Sequence, residues 1–311
     1  QANALLEYQA QRETNYMAVL GVFVFLVIFL TVFIYFLRSF QRKQIVEYYY
    51  TPLIYIIFIG INLFFLHFVL NLNVKIDGIP GGILVPTGMT AMVLAILLRH
   101  SLAISAISFV TLLYVALGAL SGNFTDITDF ISPFLVLSSG LIGVFATIKI
   151  KKRGDLFSGA LFIFIVNALL CLVYIMLMDF SESQMLYDAL LKAFAWSLLN
   201  GLSAAMLTLG ILPTLESTFN IPTTFRLLEL ADLNTPLLKE LLINAPGTFQ
   251  HSILVSMLSE AAANEIGANG LLARVGSYYH DIGKMYSAEY FIENQTKKNK
   301  HTTLKPSLSA A

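Results

Sequence analysis

Seven stretches of about 20 mostly apolar residues follow one another along this chain of 311 residues, and nothing else limits its fold as strongly. They run Tyr16–Leu37, Leu53–Leu72, Gly81–Leu98, Leu102–Leu120, Phe130–Ile148, Leu156–Met178 and Leu190–Leu215. A run of that length suits a helix crossing a bilayer, where only internal hydrogen bonds can satisfy the backbone. Arg99, His100 and Ser101 alone separate the third and fourth stretches, which predicts a tight helical hairpin. The composition agrees: 57% hydrophobic and 12% charged, with a mean hydropathy of +0.75. Soluble domains are about 45–50% apolar and roughly 25% charged. The lipid bilayer is therefore an expected partner. Zero net charge gives no ground for a polymeric nucleic-acid partner. The single cysteine, Cys171, sits in an apolar run and makes neither an intrachain disulfide nor a cysteine zinc site.

Basic residues beside the spans set the expected orientation. Arg38, Arg42 and Lys43 follow span one, Arg99 follows span three, and Lys149, Lys151, Lys152 and Arg153 follow span five. The intervening loops carry Lys75 and Asp77, then Asp126 and Asp129, then Asp179, Glu182 and Asp188. The basic set faces the cytoplasm, so an odd number of spans puts the N-terminus outside and the C-terminus inside. Residues 1–15 are polar and read as the tail of a larger preceding segment, and 16–218 read as the membrane region.

Residues 219–311 read as a helical soluble domain. From Ile221 the chain is amphipathic, and Pro222-Thr223-Thr224 marks a helix start. Short helices are predicted over Thr224–Leu233 and Pro236–Asn244, a break over Ala245–Thr248, and a longer helix over Phe249–Ile266 capped by Gly267. A further helix over Leu271–His280 is expected to end near Gly283. The fold class is all-α: a seven-helix membrane bundle followed by this domain.

Five histidines occur, and two stand where chemistry can be built. His251 follows the Pro-Gly break, and His280 directly precedes Asp281. Imidazole and carboxylate suit iron, manganese or zinc. Lys284, one turn on, can bring a positive charge to a phosphate. By spacing alone, surface histidines with an incidental aspartate explain the pattern better.

The surroundings change that reading. Asn244-Ala-Pro-Gly-Thr-Phe-Gln-His251-Ser, Ile266-Gly-Ala-Asn269, Leu272-Ala-Arg-Val-Gly-Ser-Tyr-Tyr-His280-Asp-Ile-Gly-Lys284 and Tyr290-Phe-Ile-Glu-Asn-Gln295 resemble the HD domain of seven-transmembrane HD phosphodiesterases. The resemblance implies an extracytoplasmic domain before residue 16, then seven spans and a cytoplasmic HD domain in a bacterial inner membrane. It implies hydrolysis of cyclic di-AMP, with two divalent ions, manganese or iron. By position, His251 and His280 look like metal ligands, Asp281 like the carboxylate bridging two ions, and Lys284 like a contact to substrate phosphate. The family also uses further histidines and a final aspartate from later helices. After Asp281 only His301 remains, in a stretch where Thr302 replaces the family's aspartate, and His301 is not read as a ligand. The expectation is that residues 1–311 alone do not turn over. A homodimer stays open as an arrangement.

Among the remaining polar residues, His67 reads as an interfacial histidine and His100 as part of a topological turn. Asn167 and Asn200 read as hydrogen-bonding links between helices. Gly78-Ile79-Pro80-Gly81-Gly82 reads as a turn into span three, and Lys297, Lys298 and Lys300 as a solvated loop. Two rival classes are a signalling scaffold with an inactive HD domain and a transporter-like bundle. A transporter calls for broken helices or charges at mid-membrane, and the span centres are almost free of charge. Hydrolysis of another cyclic dinucleotide or of a nucleotide phosphate is a related reading.

Overall fold

The computed structural model describes residues 50–71, 79–120, 127–148, 150, 152–178, 183–295 and 299–305, with Val24, Val27 and Thr31 of the first apolar stretch. The chain divides into two compact units, Gln1–Ile221 and Pro222–Ala311. Among the described residues all regular structure is helical.

The first unit contains α1 (Tyr50–Asn71), α2 (Thr87–Leu97), α3 (His100–Leu120), α4 (Ile131–Thr147), α5 (Leu156–Leu177) and α6 (Ser183–Phe219). Helices α1, α3, α5 and α6 are long and apolar enough to cross a membrane. The expected first span lies outside the described residues, apart from the three named above, so the count of seven does too. The same holds for Arg38, Arg42, Lys43, Lys149 and Lys151, which carry much of the orientation argument. Leu98 and Arg99 alone link α2 to α3, as the hairpin requires.

Span three differs from expectation. A short 3-10 turn over Gly81–Leu84 precedes α2, which is only 11 residues long, or about 17 Å. Pro86 explains the break. It lacks an N–H and keeps Val85 extended (φ −80°, ψ 122°). The turn presses against α4 so closely that a Cβ on Gly82 would strike the Ser132 backbone. Helix α2 is almost wholly buried and packs against α1, α3, α4 and α6. Gly143 lets α4 approach the backbone of α2 at Gly88, and Gly201 lets α6 approach α5 at Ala160. Small residues allow such contacts where hydrophobic association offers no drive between helices.

Asn167 and Asn200 do link helices. Ser139 donates to Asn167 Oδ1 (2.8 Å), Asn167 Nδ2 donates to Asn200 Oδ1 (3.0 Å), and Asn200 Nδ2 donates to the Ile83 carbonyl (2.6 Å). Every step joins a different element. The network also satisfies a carbonyl freed by the break before α2.

Helix α6 is longer than the predicted Leu190–Leu215. It spans 37 residues and runs through Pro213 to Phe219. At about 55 Å it exceeds a hydrocarbon core of about 30 Å. Asn220, at φ 50°, stops it in the left-handed conformation, and Ile221 N–H bonds back to the Glu216 carbonyl (3.1 Å). Glu216 is 7% exposed and pairs with Arg153 at 3.2 Å, fastening the end of α6 to the start of α5. Among the described residues, the helix break before α2 lies in a bundle whose α1–α5 contain no Asp, Glu, Lys or Arg.

The second unit contains α7 (Thr224–Leu230), α8 (Pro236–Asn244), α9 (Pro246–Glu265) and α10 (Gly270–Tyr279), then 3-10 turns over Ile282–Tyr290, Ile292–Asn294 and Lys300–Thr303. Leu238, Leu241, Ala245 and Tyr278 form its core. Thr223 caps α7 by accepting from Arg226 N–H (3.2 Å), and Asn269 caps α10 through Leu272 N–H (3.0 Å). Gly267 ends α9 at φ 70°, and Ala268 N–H bonds to the Ala263 carbonyl (2.7 Å), the left-handed cap predicted. The predicted break after Asn244 is narrower than Ala245–Thr248. Ala245 alone leaves helical geometry (φ −139°, ψ 66°), and Pro246 opens α9 where its missing N–H costs nothing.

Candidate metal centre

The site grows out of the contact between α9 and α10. His251 faces His280 near the start of α9, while Glu260 further along pairs with Arg274 earlier in α10 (3.5 Å). The two helices therefore run antiparallel, and the start of α9 lies beside the end of α10. His280 ends α10, and Asp281 turns the chain (φ −112°, ψ 18°) into the 3-10 segment Ile282–Tyr290 rather than an α-helix reaching Gly283.

One ligand atom from each of His251, His280 and Asp281 lies within 4.8 Å of the others, and no other such group occurs among the described residues. The histidine rings are 5.6 Å apart at 55°. Two atoms bound to one ion lie at most about 4.4 Å apart, given metal–ligand bonds of about 2.0–2.2 Å. Small side-chain rotations bring all three onto one cation.

The tautomer of His280 follows from its partners. Its Nδ1 lies 2.7 Å from the Ser277 carbonyl, which only accepts, so Nδ1 carries a proton. That leaves Nε2 directed at Asp281 Oδ2, 3.3 Å away. In the neutral ring Nε2 would offer its lone pair, and a cation shared with the carboxylate would satisfy both. Metal-binding histidines commonly use their second nitrogen in this way. The donor set therefore fits a divalent ion.

Lys284 Nζ lies 2.8 Å from Asp281 Oδ2 and 2.9 Å from Glu293 Oε1, with the Phe291 ring centroid at 5.0 Å. The hydrogen bonds to Asp281 and then Glu293 raise its pKa above the ordinary lysine value. Burial pushes the Glu293 carboxyl upward, but Lys284, its own backbone N–H and Thr248 together hold it below the usual glutamate value. Asn294 Oδ1 accepts from Thr248 N–H (3.1 Å), and Asn294 Nδ2 donates to Thr248 Oγ1 (2.8 Å). Asn294 thus caps α9 from a distant segment, since the methyl group of Ala245 cannot accept a hydrogen bond.

Thr248, Ser277, Glu293 and Asn294 were given no role in the sequence. All four stand inside the quoted motif stretches as ordinary polar residues, and their joint placement depends on the tertiary fold. His301 lies outside the group, with Nε2 3.0 Å from the Tyr290 carbonyl and its ring edge-on to Tyr290. Lys300 is half-exposed and pairs with Glu289 (2.8 Å). Lys297 and Lys298 lie outside the described residues.

The HD domain model matches residues 248–306, which include His251, His280, Asp281 and Lys284. The cyclic-di-AMP phosphodiesterase PgpH of Listeria monocytogenes serotype 1/2a (strain 10403S) is 37% identical over 227 residues, 73% of this chain and 30% of that protein. The PgpH of Bacillus subtilis (strain 168) is 35% identical over 231 residues, 73% of this chain and 32% of that protein. An uncharacterized protein of Synechocystis sp. is 47% identical over 116 residues, 37% of this chain and 14% of that protein. The chain spans about a third of the length of both PgpH relatives. No solved structure matches it. Residues 16–223 match the model of the 7TM receptor with intracellular HD hydrolase, and the chain belongs to that family.

Proposed function

We propose that this chain is part of a membrane-bound, metal-dependent phosphodiesterase that hydrolyses cyclic di-AMP to the linear dinucleotide. The observation that carries this reading is the convergence of His251, His280 and Asp281, with Lys284 2.8 Å from Asp281, inside the segment that matches the HD domain. The PgpH relatives supply the substrate class.

His251, His280 and Asp281 would hold divalent ions, manganese or iron, with Asp281 as the carboxylate able to serve two of them. Such ions, when bound, lower the pKa of a coordinated water and offset charge on the phosphodiester. Ser277 fixes the His280 ring so that Nε2 stays a ligand. Lys284 has three ammonium protons, two of them engaged by Asp281 and Glu293, and the third is free to meet a phosphate oxygen. Three ligands are too few for two ions, so residues 1–311 alone are expected not to turn over. The bilayer surrounds α1–α6, the HD domain lies in the cytoplasm beneath a bacterial inner membrane, and the membrane region regulates it. The homodimer belongs to this reading as an arrangement to test by mass in detergent.

The test is cyclic di-AMP hydrolysis with manganese by the longer protein carrying its whole HD domain. Conversion to the linear dinucleotide that vanishes in H280A/D281A supports the reading. Equal conversion by the folded double variant overturns it.

A further inference from the structure

We propose that Glu293 is a positioning residue of the metal centre. It joins the turn of α9 that carries His251 to the segment that carries His280, Asp281 and Lys284. This rests on the metal reading of those ligands and adds a residue to which that reading gives no part.

One oxygen makes the connection. Glu293 Oε1 accepts from Thr248 Oγ1 (3.1 Å) and from Lys284 Nζ (2.9 Å). Thr248 is 0% exposed and lies three residues before His251 on α9. Lys284 holds Asp281 Oδ2 at 2.8 Å, three residues back along the other segment. The path from one ligand-bearing segment to the other is therefore Thr248, Glu293, Lys284, Asp281. The neighbouring Asn294 strengthens the α9 end by binding both the N–H and the hydroxyl of Thr248. Gly247 permits the approach, because a Cβ there would run into the Glu293 carbonyl.

The arrangement answers a need of this site. Its ligands come from two different segments, and His251 and His280 are both exposed. Burial does not hold them in place. Ligand atoms must be held within about 0.5 Å of productive geometry, and residues that orient ligands commonly contribute 10–100-fold in metal affinity. Glu293 also balances Lys284. With two carboxylates on the ammonium, Asp281 has to share it and keeps lone pairs for a cation. Without Glu293, the full charge of Lys284 falls on Asp281 alone.

The experiment is a manganese titration, in detergent, of the longer protein carrying its whole HD domain, read by the electron paramagnetic resonance of free Mn(II), with melting temperatures taken metal-free. Wild type, H280A, E293Q and T248V are compared. We expect H280A to lose the bound ion, and E293Q and T248V to raise the Kd by about 10-fold or more while both still unfold cooperatively without metal, at a melting temperature modestly below wild type. The double variant E293Q/T248V is expected to bind little worse than E293Q, because both act on one path. Wild-type affinity in E293Q, with binding lost in H280A, overturns the positioning role and leaves the metal reading standing. Wild-type binding in H280A, or no binding by wild type, removes the metal reading and this inference with it. If E293Q does not fold, T248V carries the test alone: weakened binding supports the inference and unchanged binding overturns it.

Discussion

Lys284 Nζ stands 2.8 Å from Asp281 Oδ2, so the candidate bridging carboxylate is already held by a cation on one side. Glu293 takes the same ammonium from the other side at 2.9 Å. Lys284→Met leaves two carboxylates facing each other without a counter-ion. Both remain about three-quarters buried. Hydrogen bonds to charged groups are worth about 1.5–3 kcal/mol, and solvent screening reduces this. We expect a stability loss of about 1–2 kcal/mol in thermal unfolding, with a fall in cyclic di-AMP turnover by the longer protein.

Glu293 makes part of that stability depend on pH. Its pKa lies below the ordinary 4.5 in the folded protein. The unfolded chain therefore takes up a proton first as pH falls, and the contribution is complete above about 4.5 and fades through the lower folded value. Glu293→Gln should lower the melting temperature at pH 7, and the gap from wild type should narrow below pH 4.5 or so. Melting curves of both proteins across that range check it. A constant gap would contradict the assignment.

Two glycines in the second unit should respond oppositely to alanine. A Cβ at Gly247 collides with the Glu293 backbone, while at Gly276, on α10, nothing lies within 4 Å. Gly247→Ala is expected to cost about 1–3 kcal/mol as an overpacking change. Gly276→Ala should be neutral or stabilise by about 0.5–1 kcal/mol, because glycine is the poorer helix former. Parallel thermal unfolding of the two variants decides this.

In the bundle, Asn200→Leu leaves the Ile83 carbonyl and an Asn167 amide proton without their partner. Such interhelical bonds average about 0.6 kcal/mol and reach about 1.7. The loss should fall at the upper end, since Asn200 serves two elements. Asn167→Leu combined with Asn200→Leu should cost less than the two single changes added together. Thermal stability of the three variants in detergent measures the coupling.

The helical class and most of the apolar helices were legible because a membrane-length run leaves a mark in composition that needs no tertiary information. The break before α2 was not legible in this way. Gly81 to Leu98 carries no charged residue, and Pro86 within it fits a kinked span as well as a break. The end of α6 was misjudged for the opposite reason. Pro213 and Glu216 look like the close of a span, yet Glu216 stays helical and buried against Arg153. At the site, His251, His280, Asp281 and Lys284 were found through a motif resemblance, and their spacing alone would not have selected them. Ser277, Thr248 and Glu293 gain meaning only through a carbonyl, a buried hydroxyl and a shared oxygen that folding brings together.

Hydrolysis of cyclic di-AMP by the longer protein, stripped of metal by a chelator and then given manganese, tests the central claim most directly. The account predicts no linear dinucleotide in the stripped protein, its return with manganese, and no return in His251→Ala. Hydrolysis that survives stripping, or a manganese-dependent activity that His251→Ala leaves intact, would contradict it.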